Sequence, residues 1–445
     1  MSNIVTKPIY RALAGSAGFL LSGAVSAATL DQALVQAWQN NPTLQSERDN
    51  LAAADSRVDA SQGGYYPQVK AFGAIGTAHQ GVNFMSIPGF NLPISYVVLN
   101  TREIGLEVDQ TLYAGGKLSA TKDATQHLRD AEEAKLHAVE QDVLLYAAQS
   151  YMDVLQSQAV LSLEQSNEKV LQEALDQAQA SFDNGEVTHT DVDQARARLS
   201  GAQAARIQAE GALAAAQSDY ERIIGSAPDS LNQPAPLSGL PASQDAALAL
   251  ADNNYAVVAA QLASAAARDN VDIASSSMKP SLTLTGQVSK ASEPQFLFER
   301  LDNRSIMLNF SMPLYAGGTL TSQMHTAEHQ AESSEQQAQD ARRQARDQVI
   351  RSWQAYQTAS AGLAAIQVQI KASQSAYDGV QAEYREGERT TLDVLNAEQE
   401  LLSAQVNQVR AERDETVAEY SLKAATGVLT AKDLKLPVGT PGASQ

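Results

Sequence analysis

The 445-residue sequence contains no cysteine, so it has no disulfide staple, no thiolate metal ligand and no residue that could be acylated into a lipoprotein anchor. Aromatic residues are only 5% of the chain and prolines number 14, while alanine and glutamine are abundant. Such a composition favours long helices packed through small side chains over compact aromatic cores. Basic residues are scarce as well, 32 against 51 acidic, which disfavours nucleic acid as a partner. Long apolar runs are missing except near the start. There, Lys7 and Arg11 precede the apolar stretch Ala12 to Val25 and the small residues Val25-Ser26-Ala27, the layout of a secretory signal peptide over residues 1–27. Its loss leaves 30 basic against 51 acidic residues, a net of −21. An exported chain without disulfides must take its stability from packing or from other subunits.

What the sequence does contain is a duplication. Leu112-Tyr113-Ala114-Gly115-Gly116-Lys117-Leu118 recurs as Leu314-Tyr315-Ala316-Gly317-Gly318-Thr319-Leu320, an offset of 202 positions. The same shift carries Gly185 onto Gly387, Asp191-Val192 onto Asp393-Val394, Leu199 onto Leu401 and Gly225 onto Gly427. Upstream the offset is 213, matching Asn40-Asn41 to Asn253-Asn254, Val58-Asp59 to Val271-Asp272 and Pro67 to Pro280. The 11 additional residues therefore fall between Pro67 and Leu112 in the first half. Two internal structural repeats are predicted, with the same order of elements in each.

In repeat 1 (residues 28–226) a helix is expected over 28–62, with a kink at Pro42. Strands and an outer loop follow over 65–113, with residues 79–101 read as loop from Gly81, Pro88-Gly89 and Pro93. Ile104, Leu106, Val108 and Leu112 fall on one strand face, Glu107, Asp109 and Thr111 on the other. Long helices are predicted over 117–184 and 190–224. Residues 227–243, with Pro228, Pro234, Pro236 and Pro241, form a linker. Repeat 2 (244–427) has a helix at 244–277, strands within 280–314 joined by a loop around Glu293 to Asn303, and long helices at 319–386 and 391–426. The proline-free stretches before Phe182 and Tyr384 would reach about 100 Å at ~1.5 Å per residue, several times an ordinary helix, so an internal break is allowed for in each. Tyr151 and Trp353 occupy matched positions and read as core contacts. Residues 428–445 read as a flexible C-terminal tail.

The return helices carry a seam. Val192, Ala195, Leu199, Ala202, Arg206, Ala209, Leu213, Ala216, Tyr220 and Ile223 step three and four residues at a time. Val394, Ala397, Leu401, Ala404, Gln408, Ala411, Glu415, Ala418, Leu422 and Ala425 do the same. This is coiled-coil spacing with alanine at alternate positions, interrupted by Arg206, Gln408 and Glu415, which either set register or face water.

Four alternating segments of about ten residues in an exported chain suit strands that cross a bilayer with one face to lipid. Four strands cannot close a barrel, and an open edge in hydrocarbon leaves backbone groups unpaired at several kcal/mol each. Two copies supply the minimum of eight strands with no wide lumen, three supply twelve and a pore. The sequence thus predicts a mixed α and β membrane protein: a homotrimeric 12-stranded transmembrane β-barrel, four strands per chain, continued by a long periplasmic α-helical barrel of coiled-coil helices. Glu107 and Asp109 would face the lumen. The rival reading is a periplasmic coiled-coil scaffold that never enters the membrane.

The twofold repeat, the Leu-Tyr-Ala-Gly-Gly turns, Phe182-x-x-Gly185, Tyr384-x-x-Gly387 and the Asp-Val pairs resemble the TolC-like outer membrane efflux family over nearly the whole mature chain. The resemblance implies an outer-membrane exit duct for small-molecule efflux or type I protein secretion, with an equatorial belt about the linker and C-terminal region. Its implied partners are a periplasmic adaptor and an inner-membrane transporter. It further implies a periplasmic gate at the helix tips, with Tyr384, Arg389, Asp393 and Asn396 from repeat 2 and Thr190 and Asp191 from repeat 1 at the matching positions. Asp393 and Asn396, three apart, share a helix face, so three copies would ring the axis with carboxylates. Relatives often carry a second Asp where Asn396 stands, and this chain has half that charge. Asp191 and Asp393 also lie three residues after Thr188 and Thr390, the spacing of a helix capping box. An Arg389–Asp191 bridge is the expected latch between neighbouring helix pairs. Gly185 and Gly387 suit tight turns, and with Glu186, Glu386 and Glu388 they form the tips at which an adaptor with a basic surface would dock.

One motif points elsewhere. His325-Thr326-Ala327-Glu328-His329 fits the H-x-x-E-H pattern of some zinc peptidases. The first repeat has Asp123 and His127 at the matching positions, no third ligand is identifiable, and the segment lies on a long polar helix. No enzyme activity, cofactor or metal is therefore expected, and energy must come from a partner.

Overall fold

The computed structural model describes residues 29–82, 95–295 and 298–436. The signal segment 1–27, the centre of the outer loop and the end of the tail lie outside the described residues. In chain order the elements are α1 (Leu30–Asn40), α2 (Pro42–Gln62), β1 (Gln68–Val82), β2 (Ser95–Ala114), α3 (Lys117–Asp183), α4 (His189–Ile224), α5 (Gln244–Leu250), α6 (Tyr255–Ser276), β3 (Ser281–Gln295), β4 (Phe298–Ser311), α7 (Thr319–Arg385) and α8 (Thr391–Ala425). None of the described helices is long and apolar enough to cross a membrane.

The strands form one antiparallel sheet in the order β1-β2-β3-β4, leaving β1 and β4 as edges. Three sequence expectations change here. Pairing continues from Gly76↔Thr101 out to Val82↔Ser95, so much of the segment read as loop 79–101 is strand. The Glu293–Asn303 loop is likewise shorter, because Ser289↔Asn303, Lys290↔Asp302 and Ala291↔Leu301 stay paired. Polar side chains end a hydrophobic pattern without ending a backbone ladder, whose hydrogen bonds do not depend on side-chain polarity. Finally, β4 stops at Ser311, short of the end expected from strands within 280–314. Pro313 follows, and it has no N–H with which to continue the ladder. Its counterpart in repeat 1 is Thr111, and β2 runs on to Ala114 past a register shift between Thr111 and Tyr113.

Helices α3 and α7 each contain 67 residues without interruption, so the allowance for a break does not hold. At ~1.5 Å per residue each is roughly 100 Å long. Near the sheet the neighbours run α2–α3–α6–α7, and farther away α4–α3–α8–α7. In both layers α7 is an edge. The position of α4 and α8 explains their seams: α4 has one long neighbour and buries Val192, Ala195, Leu199, Ala202 and Ala209. α8 lies between α3 and α7 and also buries Leu395, Leu402 and Val406, outside the single predicted stripe. Arg206 does not break the first seam idly, for its Nε lies 2.6 Å from Glu168 of α3 and it also pairs with Glu210.

The main core sits at the waist, where α1, the middle of α3, and the ends of α4 and α8 meet. Tyr151 is fully buried there. Its hydroxyl donates to Asn232 O at 2.7 Å and accepts from Asn232 N at 3.0 Å, tying the proline-rich linker to α3. Trp353 packs edge-on against Tyr356, with 6.2 Å between ring centroids. Two domain expectations fail at this level. The helix read over 244–277 is divided by a 3-10 turn, Ala251–Asn253, and restarts with Asn254 as cap. The tail is not free from residue 428, because Leu429 and Leu436 are buried in the waist core. Each side chain so buried contributes about 1.5–3 kcal/mol, which offsets the entropy of ordering a short segment.

Candidate functional site at the sheet and the helix tips

The sheet separates two chemistries by face. Val69, Ile75, Ile104, Leu106, Val108, Leu284, Val288, Ile306, Leu308 and Phe310 are large apolar side chains left exposed. The register places Val108 opposite Val69 and Leu106 opposite Val288, so most of them share one side. On the other side Lys70 Nζ lies 2.6 Å from Glu107 and 3.3 Å from Asp109. Thr285 Oγ1 donates to Asp109 Oδ1 at 2.9 Å, and Asn309 Nδ2 donates to Thr285 Oγ1 at 3.3 Å. A polar network thus crosses all four strands on the face opposite the apolar one. Lys70 was not singled out from the sequence, since its alignment with Glu107 depends on strand register.

At the opposite end of the molecule the two helical hairpins turn at Gly185 and Gly387, whose φ values are 79° and 82°. This left-handed conformation costs a side-chain-bearing residue strain that glycine avoids. Gly185 N donates to Phe182 O at 2.9 Å and Glu186 N to Ser181 O at 2.9 Å. Gly387 N to Tyr384 O and Glu388 N to Glu383 O, both 3.0 Å, repeat the arrangement. These bonds satisfy the last carbonyls of α3 and α7.

The return helices then start from threonine caps, Thr188 and Thr390, each closed by the aspartate three residues on. Asp191 Oδ2 accepts from Thr188 Oγ1 at 2.7 Å and Thr188 N at 2.8 Å. Asp393 Oδ2 accepts from Thr390 Oγ1 at 2.7 Å and Thr390 N at 3.0 Å. Both carboxyls are held below the usual range, Asp191 chiefly by the Thr188 side chain and Asp393 chiefly by the Thr390 backbone N–H.

The expected Arg389–Asp191 latch is not formed within the chain. Arg389 Nε instead lies 2.7 Å from Glu383 Oε2 of its own hairpin, six residues back, and Asp191 is engaged by Thr188. Short local partners cost less chain entropy to hold than a contact between hairpins. Tyr384 OH accepts from Thr391 Oγ1 at 3.4 Å, closing the same turn. Asn396 is drawn to the other hairpin, where Arg198 Nη2 donates to its Oδ1 at 2.6 Å. Thr190, Glu186, Glu386 and Glu388 are exposed at the tips.

Between the hairpins lies a crevice of about 330 Å³ bordered by Asp191, Tyr377, Gln381, Tyr384, Arg385 and Glu398. Burial pushes the Glu398 carboxyl up and the Tyr377 hydroxyl likewise. Sequence reading missed Glu398 because it borders a crevice built from all four helices of the two hairpins, which no single-helix pattern encodes.

The histidine motif stands apart from both ends of this arrangement. His325 Nδ1 contacts Glu328 Oε2 at 2.8 Å, and His329 Nδ1 contacts Glu332 Oε2 at 3.2 Å. Among the described residues no three or more histidine or acidic side chains converge to cage a metal ion.

A sheet with one apolar and one polar face, unpaired at both edges among the described residues and mounted on helical hairpins of about 100 Å, fits an outer-membrane channel protein. The chain belongs to the outer membrane efflux protein family, whose model matches residues 33–226 and 247–428. It is 31% identical to the outer membrane efflux protein BepC of Brucella suis biovar 1, over 95% of this chain and 92% of BepC. It is 28% identical to the outer membrane protein TolC of Vibrio cholerae serotype O1, over 93% of this chain and 94% of that protein. The fold matches the crystal structure of the Campylobacter jejuni CmeC outer membrane channel with a TM-score of 0.79, at 16% identity, over 91% of this chain and 88% of CmeC. Members of the family are channel and transport proteins of the outer membrane, and this chain is an exit duct of that kind for efflux or secretion.

Proposed function

We propose that three copies assemble into the duct, each contributing four strands to a closed 12-stranded barrel and two repeats of the helical wall. The observation that carries this reading is the pair of unpaired strand edges, β1 and β4, on a sheet with one apolar face. In hydrocarbon such edges must be satisfied by further strands, and only another copy offers complementary ones. The edge helix α7, which buries few side chains along its length, calls for the same neighbour. The Lys70–Glu107–Asp109 network then lines the lumen. With one lysine against two carboxylates in each copy, it leaves this part of the lumen net acidic.

The duct conducts passively and catalyses nothing; a periplasmic adaptor meets the tips at Gly185–Glu186 and Glu386–Glu388, and an inner-membrane transporter supplies the energy. Acidic tips fit a basic adaptor surface, so affinity should fall as salt screens the pair. The gate lies where Asp191, Tyr384, Arg389, Asp393 and Asn396 gather, with Thr190 beside them. Its local ties, the exposed ion pair of Arg389 with Glu383 and the long hydrogen bond from Thr391 to Tyr384, are weak enough to be exchanged on opening.

Extraction and conductance test the proposal. The mature chain should require detergent, run as a heat-modifiable trimer and open channels in planar bilayers, and replacing Tyr384 and Arg389 together should raise the conductance. A freely soluble monomer or dimer that carries no current would identify a periplasmic scaffold instead. A trimer whose conductance is unchanged in the double variant would keep the duct and remove the gate from these residues.

A further inference from the structure

We propose that His325 and His329 form a two-imidazole site for a divalent transition-metal ion on the first turns of α7. The residues are four apart, so both side chains rise from one face of the helix on adjacent turns. The buried positions Ala327 and Ala331 mark the opposite face, which packs against α6. Each imidazole is already oriented. His325 Nδ1 is held by Glu328 at 2.8 Å and His329 Nδ1 by Glu332 at 3.2 Å, so a Nδ1–H donated to each carboxylate leaves the Nε2 lone pair free. This carboxylate–histidine arrangement fixes the tautomer of a metal-ligating imidazole.

The surroundings favour a cation. Between Thr319 and Ser334 there is no lysine or arginine, while Glu328 and Glu332 are both present. The carboxylates serve as orienting groups here and are not required as ligands. That is consistent with the lack of a three-residue cage, and water would complete the coordination. The site is open, the two histidine side chains being 57% and 78% exposed. A helix packed alongside would leave it reachable: His127, at the position matching His329, touches Asp269 of α6 at 2.7 Å and keeps 37% of its side chain exposed. Repeat 1 also supplies an internal contrast, because Asp123 stands where repeat 2 has His325. Of the 6 histidines in the chain, no other two are four apart.

Two imidazoles with open water positions suit Cu2+ best, then Ni2+ or Zn2+, by ligand softness and the usual affinity order. A bound ion would clamp adjacent turns at the start of α7, just beyond the Gly317-Gly318 turn. Both imidazoles belong to α7, so ion binding is measured without reference to conductance.

The experiment is titration of the tag-free, detergent-solubilised full chain with CuCl2 and NiCl2 by calorimetry, with electron paramagnetic resonance of the Cu2+ form. Expected is one ion per chain and a spectrum with two nitrogen couplings. His325→Ala or His329→Ala should each weaken binding by roughly 10²-fold, because the second imidazole acts at high effective concentration. Glu328→Gln should weaken it roughly tenfold. Adding Gln330→His to His329→Ala should not restore affinity, since five residues carry the ring off the shared face. Unchanged stoichiometry and affinity in the His325→Ala/His329→Ala double variant, or recovery with Gln330→His, would overturn the site.

Discussion

Asn41 and Asn254 make the same two hydrogen bonds in the two halves of the chain. Asn41 Oδ1 accepts from Thr43 N at 3.0 Å while its Nδ2 donates to Ile223 O at 3.2 Å. Asn254 Oδ1 accepts from Ala256 N at 2.9 Å while its Nδ2 donates to Ala425 O at 3.1 Å. Each asparagine therefore caps the start of one helix and the end of another, holding α2 to α4 and α6 to α8. The two functions separate by substitution. Asn254→Ser keeps a cap acceptor but is too short to reach Ala425, whereas Asn254→Ala loses both bonds. The alanine variant should lose about 1–2 kcal/mol and the serine variant roughly half of that, read as ordered shifts of the thermal midpoint in detergent. Equal midpoints for the two variants would mean that the bond to Ala425 alone matters.

Gly105 is required by its neighbours rather than by its backbone. A Cβ there would lie 2.5 Å from the Phe72 ring and 2.8 Å from Ser289 Cβ, on the two flanking strands. Phe72 could swing aside, but Ser289 belongs to the β3 backbone and cannot. At Gly76 nothing lies within 4 Å of the same atom. Gly105→Val should abolish the heat-modifiable oligomer while Gly76→Val leaves it intact. Semi-native electrophoresis of the two variants reads the difference, and equal behaviour would show that the sheet relaxes around position 105.

The repeat made most of this architecture legible. Helix ends were readable because glycine and Thr-x-x-Asp have local physical causes: Gly185 and Gly387 turn the hairpins, and Asp191 and Asp393 begin the next helices as their spacing required. The alternating faces of β2, β3 and β4 were legible for the same reason. What stayed hidden was set at longer range. Strand length beyond Ala78 depended on backbone pairing and not on polarity, and the order of the tail depended on a waist core that only the fold assembles. Within the chain Arg389 does not reach Asp191, because the geometry offers Glu383 closer along the sequence.

Acidification should act on the tips in two opposing steps. Glu398 is pushed above its ordinary 4.5 by burial, so the folded crevice binds its proton more readily than the unfolded chain does. Stability from this group therefore rises as pH falls through the raised value toward 4.5. Asp191 and Asp393 are depressed below 3.8, by Thr188 and Thr390. Their contribution is fully present above 3.8 and is lost as pH falls through the folded values. A spin label at the exposed position Thr190 should be least mobile between these two limbs. Glu398→Gln should remove the upper limb and Asp393→Asn should weaken the lower one. Mobility that is flat with pH in the parent protein would refute the scheme.

Lys423 shows how the C-terminal segment is held. Only 3% of its side chain is exposed, and its Nζ lies 2.6 Å from Asp433 Oδ2, itself 40% exposed. One turn earlier, Glu419 accepts from Leu237 N at 3.2 Å, and burial raises its carboxyl, so the segment and the linker are both fastened to α8. Asp433→Asn takes away the carboxylate in contact with the ammonium and leaves only Glu419, one turn away, as a counter-charge. A fully buried pair would cost about 3–5 kcal/mol to break in this way, and the solvent at Asp433 reduces that to about 1–3 kcal/mol. Lys423→Met removes the buried charge altogether and fits the apolar waist, so it should cost less, and Lys423→Met with Asp433→Asn should be milder than Asp433→Asn alone. Limited proteolysis followed by mass determination reads the order directly: clipping after Gly427 should be fastest in Asp433→Asn. If neither Asp433→Asn nor the double variant is clipped faster than the parent protein, the segment is held by Leu429 and Leu436 and the ion pair is incidental.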